Sequence, residues 1–243
     1  ISKRELFGIF LRLLFIQGLL NRKGMQNIGF ARAISAVEGW RAKHSDEPLA
    51  GKHLEFFNCN PNFTPVVVGG VLRLEHERLS GKPIDEKDIE YFKRSISSPL
   101  AAMGDMLFLG NLKPLALTFA CIFAIYKSVI GLLAVFLLYN LIIISCRLWG
   151  VYFGYSRGWE LVDVFSSPAF QKVLNIVQGI GASVGGALIA VISYRFIDNG
   201  HLTTLAAGAV GLLAVFLIRK NASATWFAIF LFLISILLSI LVR

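Results

Sequence analysis

The sequence is short of most of what a soluble enzyme carries. It has three cysteines in 243 residues, Cys59, Cys121 and Cys146. An odd number at wide spacing, without a CxxC pair, excludes a disulfide framework or a zinc–cysteine site. Cys121 and Cys146 stand in apolar runs and read as small core residues. Cys59 lies in a polar stretch, but no neighbour there would make it a nucleophile. The four histidines, His44, His53, His76 and His201, do not cluster at metal-ligand spacing, so neither a metal nor a cofactor is expected. HExxH and Walker A motifs are absent. The string GASVGG at 181–186 lies inside an apolar run with no preceding strand and reads as helix packing. A membrane-embedded enzyme therefore has little support.

What is abundant is apolar sequence. The chain is 56% hydrophobic with a mean hydropathy of +0.66, where a soluble domain holds about 45–50%. Acids are scarce: 15 Asp/Glu face 24 Lys/Arg, a formal charge of +9. Residues 1–52 hold nine Lys/Arg against four acids, residues 53–113 seven against eight, and residues 114–243 eight against three. The cations flank apolar runs. That pattern fits the cytoplasmic face of a membrane rather than a nucleic-acid partner.

Lys3, Arg4 and Glu5 precede FGIFLRLLFIQGLL, which Arg12 interrupts, and no small-residue cleavage site follows, so no secretory signal is expected. Residues 5–20 form either an amphipathic helix at the interface or a helix packed on the bundle. NRKGMQNIGF at 21–30 is a polar break, 31–43 reads as helix, and 44–51 as a loop around Pro48. His53 to Asn58 reads as the end of a helix that Asn58, Asn60, Pro61 and Asn62 break. Phe63 to Leu74, with Pro65 near its start, where a helix tolerates it, and Gly69-Gly70 in its middle, is about 18 Å of helix, short of a core of about 30 Å, and reads as re-entrant. Glu75, His76, Glu77 and Arg78 then return the chain to water. Asp85 caps a short exposed helix ending at Lys93-Arg94. Ser97 to Pro114 is a second apolar segment, interrupted at Gly104-Asp105 and Gly110-Asn111. Two short interrupted segments point to a transporter's binding site.

Leu115 to Cys146 is apolar except for Lys127 and Asn140. A hairpin turning near Tyr126-Lys127-Ser128 is more economical than one very long helix, if its first arm borrows length from before Pro114. Residues 147–172 read as a mixed loop, and 173–194, 199–218 and 221–242 are each long enough to span. The loop 147–172 and the Arg219-Lys220 turn carry five cations, against two on the other side, which makes the first side cytoplasmic. The N-terminus is then cytoplasmic and the C-terminus outside. The expected fold is all-α and polytopic, with four to five transmembrane helices. Basic amphipathic helices occupy 1–52, interrupted helices and a short cytoplasmic helix 53–113, and a transmembrane bundle 114–243.

Asp105 is the sharpest candidate. An acid between PLAAMG and MLFLG is costly unless paired or wet. It either accepts from the donors of a polar ligand or caps the helix starting at Met106, and the two are compatible. Asn58, Asn60 and Asn111 offer amides to hydroxyls, or cap helix ends. His53 flanks an aromatic pair, Phe56-Phe57, suited to stacking on a ligand. Glu75 and Glu77 face a polar path or, the preferred reading, pair with Arg73 and Arg78.

HLEFFNCNP at 53–61 and PLAAMGD at 99–105, followed by Phe108, Gly110 and Lys113-Pro114, resemble the IID membrane component of the mannose-type bacterial sugar phosphotransferase system. IQGLLNRKGMQNIGF at 16–30 and the series Asn140, Arg147, Gly150, Gly154-Tyr155, Gly158 resemble the same family. The family pattern has Thr-His-Pro where this chain has Cys59-Asn60-Pro61, and an acid is lost near Gly24. The resemblance implies a subunit of the bacterial cytoplasmic (inner) membrane that acts with a IIC membrane partner to pass a hexose such as mannose, fructose or glucosamine inward. Soluble IIA and IIB units phosphorylate it, so this chain needs no phosphorylation site of its own and neither His53 nor His76 carries a phosphoryl group. It also implies that Gln17, Asn21 and Gln26 dock the partner. A membrane scaffold or receptor with the same fold is the alternative.

Overall fold

The computed structural model describes residues 1–42 and 48–168, with 170, 172, 173, 175–177, 179 and 180. The chain divides into units Ile1–Gly185 and Gly186–Arg243. The spans expected at 199–218 and 221–242, and most of 173–194, lie outside the described residues. The described part is helical, apart from two isolated bridges.

Helix α1 (Lys3–Leu13) starts at a capping box in which Ser2 and Glu5 serve each other's backbone ends. Leu6, Ile9, Phe10 and Leu13 recur at helical spacing and are buried, so α1 packs on the bundle. Its other side is apolar too, with Phe7, Leu11 and Leu14 exposed. Helices α2 (Asn27–Ile34) and α3 (Glu38–Arg41) follow the polar break.

His53 to Asn58 does not end a helix. A short 3₁₀ turn covers Ala50–His53, and the chain then extends beside residues 24–26. Gln26 N donates to the Phe57 carbonyl at 2.9 Å and Phe57 N to that of Gly24 at 3.2 Å. Backbone partners 30 residues away outbid the helix, an influence that local sequence does not carry.

Helix α4 (Thr64–Leu79) begins with Pro65 in its first turn, as expected, but runs unbroken for 16 residues. Glu75 to Arg78 stay helical instead of returning to water. Val67, Val68, Val71, Leu72 and Leu74 are fully buried, and α4 is the central helix. Its glycine pair does not bend it. Gly69 lies against the backbone of α7 (Val129–Arg157), and Gly70 against the Phe92 ring.

Asp85 caps α5 (Glu86–Gly104) with a capping box, but the helix continues past Arg94 and through Pro99. A π-helix over Asp105–Leu112 then leads into α6 (Lys113–Ile125). The expected breaks at Gly104-Asp105 and Gly110-Asn111 are therefore a π segment within one helical run of 40 residues. Asn111 Nδ2 donates to the Met106 carbonyl five residues back, at 2.6 Å. Pro114 has no N–H for the Gly110 carbonyl, so α-pitch is weakened there.

The hairpin turns at Tyr126-Lys127-Ser128, where sequence placed it. Lys127 takes φ +52°, and Ser128 Oγ accepts from Gly131 N at 3.2 Å to start α7. The first arm does borrow length from before Pro114. Helix α7 continues to Arg157, through the first part of the region expected as a loop, because Gly150 and Gly154 seat it on α4. A short α8 (Leu161–Ser166) follows. Glu86–Ile125 and Val129–Ser166 are long and apolar enough to cross a membrane, and only 6% of the apolar window of each is buried. Asp105 lies 20 residues before Ile125, about 30 Å along the arm, and Arg147 lies 19 residues after Ser128, about 28 Å. Both charges stand at one level of the hairpin.

At two glycines the α4–α7 crossing brings main chain onto main chain. A Cβ on Gly154 would lie 2.1 Å from the Val66 carbonyl oxygen, and one on Gly69 would lie 2.3 Å from that of Val151. Neither oxygen can swing aside. Gly154→Ala is expected to destabilise the protein by at least about 1–3 kcal/mol, whereas Gly51→Ala, with open space around it, changes little. Thermal unfolding of the detergent-purified protein checks both.

Candidate functional site

Asn60 is buried and fixed on all sides. Its carbonyl accepts from Phe63 N and Thr64 N, both at 2.9 Å, and from Thr64 Oγ1 at 3.1 Å. Its Oδ1 accepts from Asn62 N at 2.9 Å, and its Nδ2 donates to Asp105 Oδ1 at 2.9 Å. Gly104 makes this approach possible, since a Cβ there would lie 2.3 Å from Asn60 Cβ. The two polar motifs, 45 residues apart, thus meet in one charge-assisted hydrogen bond. Asp105 does not cap a helix: its backbone is already helical at φ −63°, ψ −43°, inside the continuous run. Its carboxylate is exposed in this chain.

Asn58 is also exposed. It borders a cavity of about 240 Å³ with Phe56, Phe57, Lys93, Arg94, Ser97 and Ser98. Phe56 is 60% exposed beside it. Asn111 is half-buried and spent on the π turn.

His53, Glu75 and Glu77 belong to charge pairs. Glu75 is 1% exposed. It faces Arg41 Nη1 at 3.8 Å, His53 Nε2 at 3.5 Å and Arg78 Nη2 at 3.1 Å. Burial pushes its carboxyl pKa up, but hydrogen bonds and attraction from His53 and Arg78 outweigh that and hold it below 4.5. Lys93, equally buried, donates to Glu55 Oε1 at 2.7 Å and to the His53 carbonyl at 3.4 Å, with its ammonium 3.9 Å from the centre of the Phe30 ring. Glu77 pairs nearer the surface with Arg73 at 2.8 Å and Lys82 at 3.0 Å. A polar cavity of about 170 Å³ opens between Lys52, His53, Glu55, Glu75, Glu86 and Glu90.

Among the three expected docking residues, Gln26 is buried. Its side chain donates to the Cys59 carbonyl at 2.9 Å and accepts from Cys59 N at 3.3 Å, so it is an internal strut. Asn21 holds its own turn, accepting from Gly24 N at 2.7 Å and donating to Asn27 Oδ1 at 2.7 Å. Gln17 is exposed. Burial raises the Cys59 thiol to about 12, against smaller lowering by Thr64 and the Asn60 backbone, so it stays protonated at neutral pH. No three His, Cys, Asp or Glu side chains among the described residues are placed to hold a metal ion.

Arg41, Asn62, Lys93 and Arg147 were not singled out from sequence as site residues. Arg41 and Lys93 stand near other cations, Lys43 and Arg94, and Asn62 reads as a helix breaker, so none signals burial, while Arg147 interrupts a long apolar run. Arg147 Nε donates to Asn62 Oδ1 at 2.8 Å.

These features define an all-α membrane protein of the transporter-subunit class. Two long apolar helices leave their surfaces free, and an acid stands among them, held by a buried amide. A family model described as the PTS system mannose/fructose/sorbose family IID component matches residues 1–242. The chain belongs to that family. The mannose-specific EIID component of Escherichia coli is 32% identical over 263 residues, covering 97% of this chain and 92% of the relative. The fructose permease IID component of Bacillus subtilis is 30% identical over 194 residues, covering 78% and 70%. Two solved structures each match over 97% of this chain and 95% of theirs. One, a membrane protein, has a TM-score of 0.78 at 27% identity. The other, the mannose transporter ManYZ in complex with a microcin, has a TM-score of 0.61 at 25% identity.

Replacing Glu75 with Gln leaves buried cations without their carboxylate and is expected to cost about 3–5 kcal/mol. Because the folded pKa of Glu75 is lowered, its stabilisation is full above the ordinary value of 4.5 and is lost as pH falls through the lowered one. Melting temperature measured from pH 7 down to pH 3 should therefore fall less steeply for Glu75→Gln than for the native chain.

Proposed function

We propose that this chain joins a IIC subunit to form the membrane pathway of a mannose-family permease. A hexose enters through it and is phosphorylated by soluble IIA and IIB units, with phosphoenolpyruvate as the ultimate donor. The observation that carries this reading is Asp105, an exposed carboxylate on a 40-residue helical run that is apolar on both sides of it, positioned by buried Asn60. A carboxylate there needs a polar counterpart, and vicinal hydroxyls of a sugar are donors it can accept from. Asn58, beside the exposed Phe56 ring, offers amide and stacking contacts to the same kind of ligand. Asn60 and Asn111 hold the backbone around Asp105. His53, Glu75 and Glu77 brace the frame behind it, next to a polar cavity that water or the path can use.

The cation distribution supports placement in a bacterial cytoplasmic membrane with residues 1–104 at the cytoplasmic side and the C-terminus outside. Phosphoryl transfer is assigned to the soluble units, because the sequence carries no Walker A phosphate-binding loop and the described residues offer no activated nucleophile. The exposed Gln17, next to Phe15 at 66% exposure, is assigned to the contact with IIC.

The test is phosphoenolpyruvate-dependent uptake of labelled mannose, fructose and glucosamine in cells carrying this subunit with its neighbouring IIC. Asp105→Asn at equal membrane abundance is expected to lower uptake at sub-saturating sugar by at least about tenfold, the loss of one charge-assisted contact. Uptake that persists without the whole subunit would overturn the transport reading and leave the scaffold.

A further inference from the structure

Arg147 is the one cation in α7 before its last turn. Its position in the apolar run suggests an interfacial anchor, the side chain reaching out to headgroups or water. The structure turns it inward instead. The side chain is half-buried, and Nε donates to Asn62 Oδ1 at 2.8 Å. No carboxylate forms an ion pair with it among the described residues. Asn62 is buried, and its backbone N–H donates to Asn60 Oδ1 at 2.9 Å. Asn60 Nδ2 donates in turn to Asp105 Oδ1 at 2.9 Å. The result is a directed chain of three hydrogen bonds, from a guanidinium on one arm of the hairpin to a carboxylate at the same level on the other.

We infer that Arg147 is a positioning residue of the sugar path, acting on Asp105 through the Asn60–Asn62 turn. This rests on the reading of Asp105 given above. Three features argue for the role. Backbone bonds from Phe63 and Thr64 hold the Asn60 carbonyl, while the side chain of Asn62 is tied through Arg147, so Arg147 fixes the far end of the turn. Among the described residues, Arg147 is the one side chain that donates to Asn62 Oδ1. Each bond in the chain also has one polar group held by a buried partner, and buried networks of this kind act as a unit. Arg presents its Nε–H in a rigid plane, whereas Lys would bring the charge without that directed donor.

The experiment is concentration-dependent uptake by the full subunit with its IIC, using labelled mannose and variants compared at matched membrane abundance. Arg147→Lys is expected to raise the uptake KM about tenfold with little change in maximal rate. Asn62→Ala, which removes the same bond from its other end, gives the same shift and serves if Arg147→Lys fails to accumulate. Arg147→Lys added to Asn60→Ala is no worse than Asn60→Ala alone, as expected of members of one relay. A loss of maximal rate at unchanged KM would make Arg147 an anchor and overturn the inference. So would independent, multiplying effects of Arg147→Lys and Asn60→Ala. If Asp105→Asn itself leaves uptake unchanged, the sugar-path reading falls and this one with it. If Asp105→Asn impairs uptake while Arg147→Lys and Asn62→Ala leave KM unchanged, only the positioning role is overturned.

Discussion

A carboxylate with 1% of its surface exposed stands on the central helix, and the surrounding chain is arranged to keep it charged. Glu75 draws Arg41 from α3, His53 from the 3₁₀ turn and Arg78 from its own helix. An isolated buried carboxylate would lose several kcal/mol to desolvation, so those three segments cannot drift away without heavy cost. Lys93 repeats the device one helix over: Glu55 neutralises it, the His53 carbonyl accepts from it, and the Phe30 ring faces its charge. His53 belongs to both, with its ring on Glu75 and its carbonyl on Lys93. Residues 50–63, ahead of α4, are in this way tied down by charge as much as by packing.

How much of this could be read beforehand depended on the range of the cause. The hairpin at Lys127, the cap at Asp85 and Pro65 in the first turn of α4 are set by a few adjacent residues, and sequence placed each. The extended course of 54–58 is set by bonds to residues 24–26, and Glu75 remains in the helix because of Arg41 and His53. Local polarity predicted the opposite in both places. The glycines of 104 and 110 and the proline at 114 were read as breaks, but a helix can absorb such a cluster by widening to π pitch, and Asn111 shows how, by bonding five residues back.

The candidate site was legible in the same partial way. Asp105 stands out in any reading, since an acid in an apolar run requires a reason. That it meets Asn60 could be suspected only from both lying in motifs of one family, and the contact needs Gly104 to be free of a side chain. Gln26 was assigned to a partner and turns out to be spent on Cys59, because a buried amide and an exposed one look alike in a sequence. Asn62 and Arg147, 85 residues apart, carry no mark that relates them.

The glycine crossing of α4 and α7 has a mechanical consequence. Helices separated by side chains can slide, because rotamers re-adjust as the layers shear. Here main chain lies on main chain, with Gly154 against Val66 and Gly69 against Val151. At those two points the pair has no lubricating layer and moves as a single strut. Along the 86–125 arm, α5 is packed into the core, so motion is left to the part past Gly104, where only Phe108 is buried and which meets the loop before α4 through the Phe63–Phe108 ring contact and one hydrogen bond from Asn60. A displacement of that arm would be registered first at Asp105, so the residue proposed to meet the sugar also sits where the moving part touches the fixed one.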